Sequence, residues 1–214
     1  NKIKEGKWPK ERLEKIIVVD EKKRIVDMVS FYDLVQKSDI RFKHIGIVGL
    51  GYVGLTLGLT LADLGFKVKG FDTNKNLVDS IKKGKPHFFE AGLDRLLKDH
   101  LGNNFCLVSG FNGESNCDIY FVAVGTPLDE HQKPGLHYIR RASEDLSKIL
   151  KHGDAVVLRS TVPLGTTREV VMPILEKGSG MKAGDEFLLA FAPERTIEGR
   201  ALEELRRLPQ VIGG

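Results

Sequence analysis

The chain has 214 residues, 41% hydrophobic and 29% charged, enough to bury one substantial core beside a smaller appendage. Its net charge of +4 resides in residues 1–24, with nine Lys/Arg against five Asp/Glu, while the chain from His44 onward is neutral; this argues against a basic face and a nucleic-acid partner. No apolar run reaches the roughly 18 residues of a membrane span, and the opening NKIKEGKWPKERLEK has no signal-peptide apolar stretch, so no membrane partner and a cytoplasmic location are expected.

In chain order, KIIVVDEKKRIVDMVSFYDLVQKSD (15–39) reads as strand, tight polar turn, strand and short helix. Those strands are too few to be stable alone. The stretch resembles the closing part of a CBS module, in which P-V-V-D is followed by a glycine-bearing turn, a second strand and Thr-x-x-Asp opening a helix. Val18, Val19, Asp20, Ser30 and Asp33 fit, whereas Lys23 and Asp27 stand where glycines are common. In such modules the Ser/Thr and Asp hold an adenosine ribose. Only part of one module is present, so the resemblance implies a structural or truncated β-β-α appendage over residues 1–43.

From His44 the period changes. Apolar runs HIGIV (44–48), KVKGF (67–71), FCLV (105–108), DIYFVAV (118–124), AVVL (155–158) and FLLAFA (187–192) alternate with helical patterns. These patterns are Val53, Leu57, Leu61 and Leu64; Val78 and Ile81; Leu93, Leu96 and Leu97; and Leu146, Ile149 and Leu150. Runs this apolar, separated by helices, predict parallel strands covered on both faces: an α/β fold with a doubly wound, Rossmann-type, mainly parallel sheet over 44–214. Cys106 and Cys117 lie in or beside strands with no C-x-x-C spacing, and are expected to be buried thiols. The six histidines are scattered, so no metal site is expected.

Between the first of these strands and its helix lies GLGYVG, a G-x-G-x-x-G frame at Gly49, Gly51 and Gly54. Strand before and helix after are the context that makes this frame a dinucleotide turn. Gly49 permits the turn, Gly51 lets a pyrophosphate approach the backbone, Gly54 lets helix and strand pack closely, and Gly58 extends that packing. Helix-start N–H groups then face the phosphates. Asp72 ends the next strand, 23 residues after Gly49. A carboxylate there accepts hydrogen bonds from an adenosine ribose diol and repels a 2′-phosphate, which selects NAD over NADP. The same residue could also cap a helix over 74–83.

Later strands run into Gly125-Thr126-Pro127, Arg159-Ser160-Thr161-Val162-Pro163 and Pro193-Glu194-Arg195. In open α/β sheets, ligands bind outside the carboxyl ends of the strands. Five strand ends here carry candidate ligand groups.

VGLGYVG, GKPHFFEAGLDRLL, VAVGTP, STVPLGTT and APERTIEGRALEELRRLPQVIGG, in this order, closely resemble the N-terminal domain of the nucleotide-sugar (UDP-sugar) 6-dehydrogenases over 44–214. The resemblance implies oxidation of a UDP-sugar C6 alcohol to a carboxylate while two NAD are reduced, through a cysteine thiohemiacetal and a thioester that water hydrolyses. It implies that Thr161 and Glu194 hold and activate that water. It implies cofactor contacts from Gly49, Leu50, Gly51, Tyr52, Val53, Gly54, Asp72, Ala123, Val124, Gly125, Thr126, Pro127, Ser160 and Glu198. Five residues after the ribose acid, where members often carry Lys or Arg, this chain has Leu77; Lys75 is a candidate replacement. Arg195-Thr196, in place of the usual P-E-F-L continuation, looks more like branches that oxidise UDP-N-acetylhexosamines than like UDP-glucose enzymes. The family's catalytic Cys and Lys belong to segments after the I-G-G motif. The expectation is therefore the cofactor portion of a longer enzyme, homodimeric at full length and inactive alone. The competing reading is a non-catalytic module that senses NAD or adenine nucleotides.

Overall fold

The computed structural model of the chain describes residues 15–19, 25–30, 43–108, 110–111, 116–128, 130 and 134–214. Two compact units emerge, Asn1–Lys43 and His44–Gly214. In the first, β1 (Lys15–Val19) and β2 (Ile25–Ser30) pair antiparallel, Lys15 opposite Ser30, with a register shift at Val18/Val19. The turn residues Asp20 and Lys23, and the expected helix with Asp33, lie outside the described residues.

The second unit is built on six parallel strands: β3 (His44–Val48), β4 (Lys67–Phe71), β5 (Phe105–Val108), β6 (Ile119–Val122), β7 (Ala155–Leu158) and β8 (Leu188–Phe191). Their spatial order is β5-β4-β3-β6-β7-β8. The chain thus builds outward from β3 to one edge, returns, and builds outward from β6 to the other. That reversal opens a crevice at the carboxyl ends of β3 and β6, where Ala123 N–H donates to the Val48 carbonyl at 2.8 Å. The strands β6 and β8 are shorter than their apolar runs. At the start of the first run Asp118 turns its carboxylate onto the His44 N–H (2.7 Å), and at its end Val124 bends away toward the crevice.

Helices cover both faces: α1 (Tyr52–Asp63), α2 (Lys75–Lys82), α3 (Leu93–His100), α4 (His137–Ser147), α5 (Met172–Ser179) and the short α6 (Ala201–Glu204). Successive strand residues point to opposite faces, so buried neighbours such as Ile47 and Val48 serve two cores. One core joins Tyr120, Val122, Val156 and Leu158 to Ile139 and Leu146 of α4 and Leu175 of α5. On the other side Leu55, Leu59, Ile81, Leu97 and Phe105 are fully buried. Each such side chain contributes about 1.5–3 kcal/mol. A Cβ on Gly58 would stand 3.0 Å from the Phe105 ring, so that glycine sets how closely α1 approaches the sheet.

Three expectations need correction. A widened π-turn at Thr167–Val171 runs directly into α5, where the sequence pattern gave no helix. Pro173, which lacks an N–H and crowds the carbonyl four residues earlier, sits early in α5, and the widened turn precedes it. The helix expected through Leu150 ends at Ser147; Ile149 and Leu150 both donate to the Leu146 carbonyl at 3.0 Å in a closing turn. Finally, Cys117 is buried but Cys106 is exposed, because β5 is an edge strand whose outward positions meet water.

Candidate functional site

The glycine turn joins β3 to α1. Gly49 has φ +91°, a left-handed conformation that L side chains rarely adopt, and its N–H donates to the Phe71 carbonyl at 2.8 Å. A Cβ on Gly54 would lie 1.8 Å from the Gly49 carbonyl oxygen, so no other residue fits there. At Gly51 the opposite holds: nothing lies within 4 Å of where a Cβ would be. No side chain caps α1, and its first turn holds no acidic residue. The helix therefore presents a positive N-terminus beside open space, suited to a diphosphate.

Asp72 stands at the end of β4. One oxygen accepts the Leu50 N–H and the other the Asn74 N–H, both at 2.8 Å. Asp72 thus braces the glycine turn and is not the cap of α2. That role belongs to Asn74, whose side chain accepts the Leu77 N–H at 3.2 Å. Each Asp72 oxygen keeps a lone pair for a further donor.

A cavity of about 550 Å³ opens here. It brings together Gly49, Gly51, Asp72, Ala123, Val124 and Gly125 of the expected residues. Phe71 and Phe111, stacked at 5.0 Å between ring centroids, join its lining. Leu77 lines it; Lys75 does not. The lining cations are instead Arg141 and Lys148, on and just past α4, with Lys148 paired to Asp145 at 2.8 Å. Sequence reading missed Tyr138, Arg141 and Lys148, since the outer face of an amphipathic helix looks like plain solvent exposure. His87 is held below its ordinary range by burial, against the pull of the Asp72 carboxylate.

Other expected residues lie outside this lining. Leu50 is a core side chain. Tyr52 turns away and donates its hydroxyl to the buried Glu90 at 2.5 Å. Burial, and then the Glu90 carboxylate, push the Tyr52 phenol up to about 12. Val53 and Gly54 follow within α1. Ser160, at the end of β7, is buried, and its hydroxyl donates to the Val124 carbonyl at 2.7 Å. Thr126 donates to the Thr161 carbonyl at 2.9 Å, tying the loop after β6 to that after β7, while Pro127 is exposed. Glu198 is exposed beyond β8, and its charge is felt at Tyr52.

Glu194 is held firmly. Its Oε2 accepts from Arg159 at 2.6 Å, and its Oε1 accepts the N–H groups of Arg195 (2.7 Å) and Thr196 (3.0 Å). The two charged side chains are only 4% and 7% exposed. Arg159 also donates to the Ala192 carbonyl at 3.0 Å and to Gln210 at 2.6 Å, while its Nε has no hydrogen-bond partner among the described residues. Thr161, with its hydroxyl-bearing side chain exposed, follows on the neighbouring strand end.

An open helix N-terminus at Gly51, a carboxylate at the end of the next strand and a sheet reversal between them have the arrangement of a dinucleotide site. The family model described as UDP-glucose/GDP-mannose dehydrogenase family, NAD binding domain, matches residues 43–214. The chain belongs to this family. Its His44–Gly214 unit corresponds to the family's NAD-binding domain. A UDP-N-acetyl-D-mannosamine dehydrogenase of Campylobacter jejuni is 36% identical over 182 residues, covering 81% of this chain and 44% of that protein. A UDP-N-acetyl-D-glucosamine 6-dehydrogenase of Pseudomonas aeruginosa is 33% identical, covering 79% and 39%. Among solved structures, the UDP-D-ManNAc dehydrogenase of Pyrococcus horikoshii superposes with TM-score 0.76 at 32% identity, covering 80% of this chain and 41% of that one. The chain therefore spans less than half the length of these relatives. Among the described residues no helix is long and apolar enough to cross a membrane.

Proposed function

We propose that the chain is the cofactor-binding portion of an enzyme that oxidises the C6 alcohol of a UDP-sugar to a carboxylate while two NAD are reduced. UDP-N-acetylhexosamine is favoured over UDP-glucose, a preference supported by Arg195-Thr196 after the P-E pair and by the substrates named for the relatives. The observation that carries the reading is the Gly51 cradle beside Asp72 at the sheet reversal, with Thr161 and Glu194 on the next two strand ends. Bound NAD supplies a hydride acceptor. The chain's own groups do the rest. Asp72 accepts the ribose hydroxyls, and the start of α1 faces the diphosphate. Val124 to Pro127, Ser160 and Glu198 frame the nicotinamide half. Thr161 orients a water whose proton passes to Glu194, which Arg159 and two backbone N–H groups fix in direction. One lone pair on Oε2 stays available for that proton. Residues 1–43 enter as a CBS-like structural appendage, and the longer enzyme as a cytoplasmic homodimer.

The test is a calorimetric NAD titration of this chain beside an NADH absorbance assay with several UDP-sugars. Saturable NAD binding in the micromolar-to-millimolar range without steady turnover is expected, since neither Thr161 nor Glu194 can replace a thiolate that carries an acyl group. Failure to bind NAD at millimolar concentration overturns the cofactor reading. Steady NADH production overturns the division of labour.

A further inference from the structure

Two stretches distant in sequence, at residue 52 and at residues 199–202, converge on one buried carboxylate. Glu90, between α2 and α3, is 4% exposed. Its Oε2 accepts the Tyr52 hydroxyl at 2.5 Å and the Gly199 N–H at 2.9 Å; its Oε1 faces the Leu202 N–H at 3.4 Å. The Gly199 N–H is shared with the Tyr52 hydroxyl at 3.0 Å, and that hydroxyl also lies 3.5 Å from the Ile197 carbonyl. The Phe88 ring covers Tyr52 at 4.7 Å. No Lys, Arg or His forms an ion pair with Glu90 among the described residues.

A buried carboxylate without a cation is costly unless donors converge on it, and an apolar residue of similar size would stabilise this spot more simply. What the carboxylate achieves, and an apolar residue would not, is a directional link between two parts of the site. Tyr52 is the first residue of α1, directly after Gly51 and inside the glycine frame. Gly199 follows Glu198, and its N–H is the atom held. The segment from Ile197 into the start of α6 at Leu202 contributes few buried side chains of its own, Ala201 being the exception, so its position depends on such bonds.

We propose that Glu90 is a positioning residue that clamps the segment from Ile197 to the start of α6 onto the first turn of α1, fixing Glu198 at the correct distance from the dinucleotide turn so that one NAD molecule engages both. This rests on the cofactor reading above. AMP, which occupies only the Asp72 end, does not need the clamp; NAD does.

The experiment uses the whole chain and its Glu90→Gln variant, which keeps size and one acceptor oxygen. Titrations with NAD and with AMP are read beside amide hydrogen exchange without ligand. Glu90→Gln is expected to weaken NAD about five- to twentyfold, the scale of one or two ordinary hydrogen bonds, and to leave AMP within about twofold. Exchange at Gly199 and Leu202 is expected to speed up while that of the β3 and β6 amides is unchanged. Should Glu90→Gln not fold, Tyr52→Phe removes a single hydroxyl from the same cluster, and a smaller shift in the same sense is expected. Equal losses for NAD and AMP, or NAD binding at the parent's level, overturn the clamp while sparing the cofactor reading. A parent chain that binds neither nucleotide overturns both.

Discussion

Asp72→Ala tests two tasks of one carboxylate, the bracing seen in the fold and the ribose contact proposed for it. In the native fold its oxygens accept the Leu50 and Asn74 N–H groups at 2.8 Å, and Leu50 is fully buried. Truncation strands the Leu50 donor away from water, a cost of about 1–3 kcal/mol. For a domain of this size that lowers Tm by about 2–12 °C. Truncation also removes the acceptor for the ribose hydroxyls, which weakens NAD by a further 1–3 kcal/mol, roughly five- to 150-fold, and narrows the gap to NADP. Asp72→Asn distinguishes the two effects. Its amide oxygen still accepts the Leu50 N–H, so most of the Tm loss is recovered, while the missing charge leaves NAD binding weak. Differential scanning fluorimetry and calorimetric titration with NAD and NADP report both quantities. Unaltered NAD affinity in Asp72→Ala would refute the ribose role, and an unaltered Tm would refute the bracing role.

Two further outcomes are expected. Removing one partner of the buried Arg159–Glu194 pair, as in Glu194→Leu, leaves an uncompensated charge and costs about 3–5 kcal/mol, whereas Arg159→Met combined with Glu194→Leu recovers much of it; urea denaturation of the three variants decides this by whether the double variant exceeds the single. Burial pushes the Cys117 thiol from its ordinary 9.0 up to about 12, so Cys106 alone should react with iodoacetamide in the folded protein; because the folded-state value is raised, the stability tied to Cys117 is complete below pH 9 and lost as pH climbs toward 12, which alkaline melts read directly.

The sheet was legible because buried parallel strands are short, mostly apolar runs, and β3, β4, β5 and β7 coincide with theirs. The glycine turn was legible because Gly49 and Gly54 occupy positions that no side chain tolerates. Other features depend on tertiary contacts that leave no local trace. The apolar spacing around Pro173 gives no clear helical period, yet Pro173 sits in the first turn of α5, where its missing N–H is tolerated, and Val171 and Leu175 are fully enclosed against the sheet. The outer face of α4 reads as solvated, although Tyr138 and Arg141 face a cavity. Glu90, in the polar-looking PHFFEAG, gives no hint of burial, because its donors come from residues 52, 199 and 202. Edge position, invisible in FCLV, is what exposes Cys106.

Arg159 also bears on the order in which the molecule assembles. Its guanidinium joins the end of β7 to the carbonyl of Ala192, to Glu194 and to Gln210, which lies 51 residues downstream. None of those acceptors is in place until β8 has aligned beside β7 and the chain beyond α6 has come back across the strand ends. Loop-closure entropy for so distant a contact must be met before any bond repays it, which puts this junction at the end of folding and not in its nucleus. Interactions formed after the rate-limiting barrier act on escape from the native state and leave its formation rate almost untouched. The Arg159 junction is thus expected to act as a latch: its loss should speed unfolding in denaturant-jump kinetics and leave the folding rate nearly unchanged.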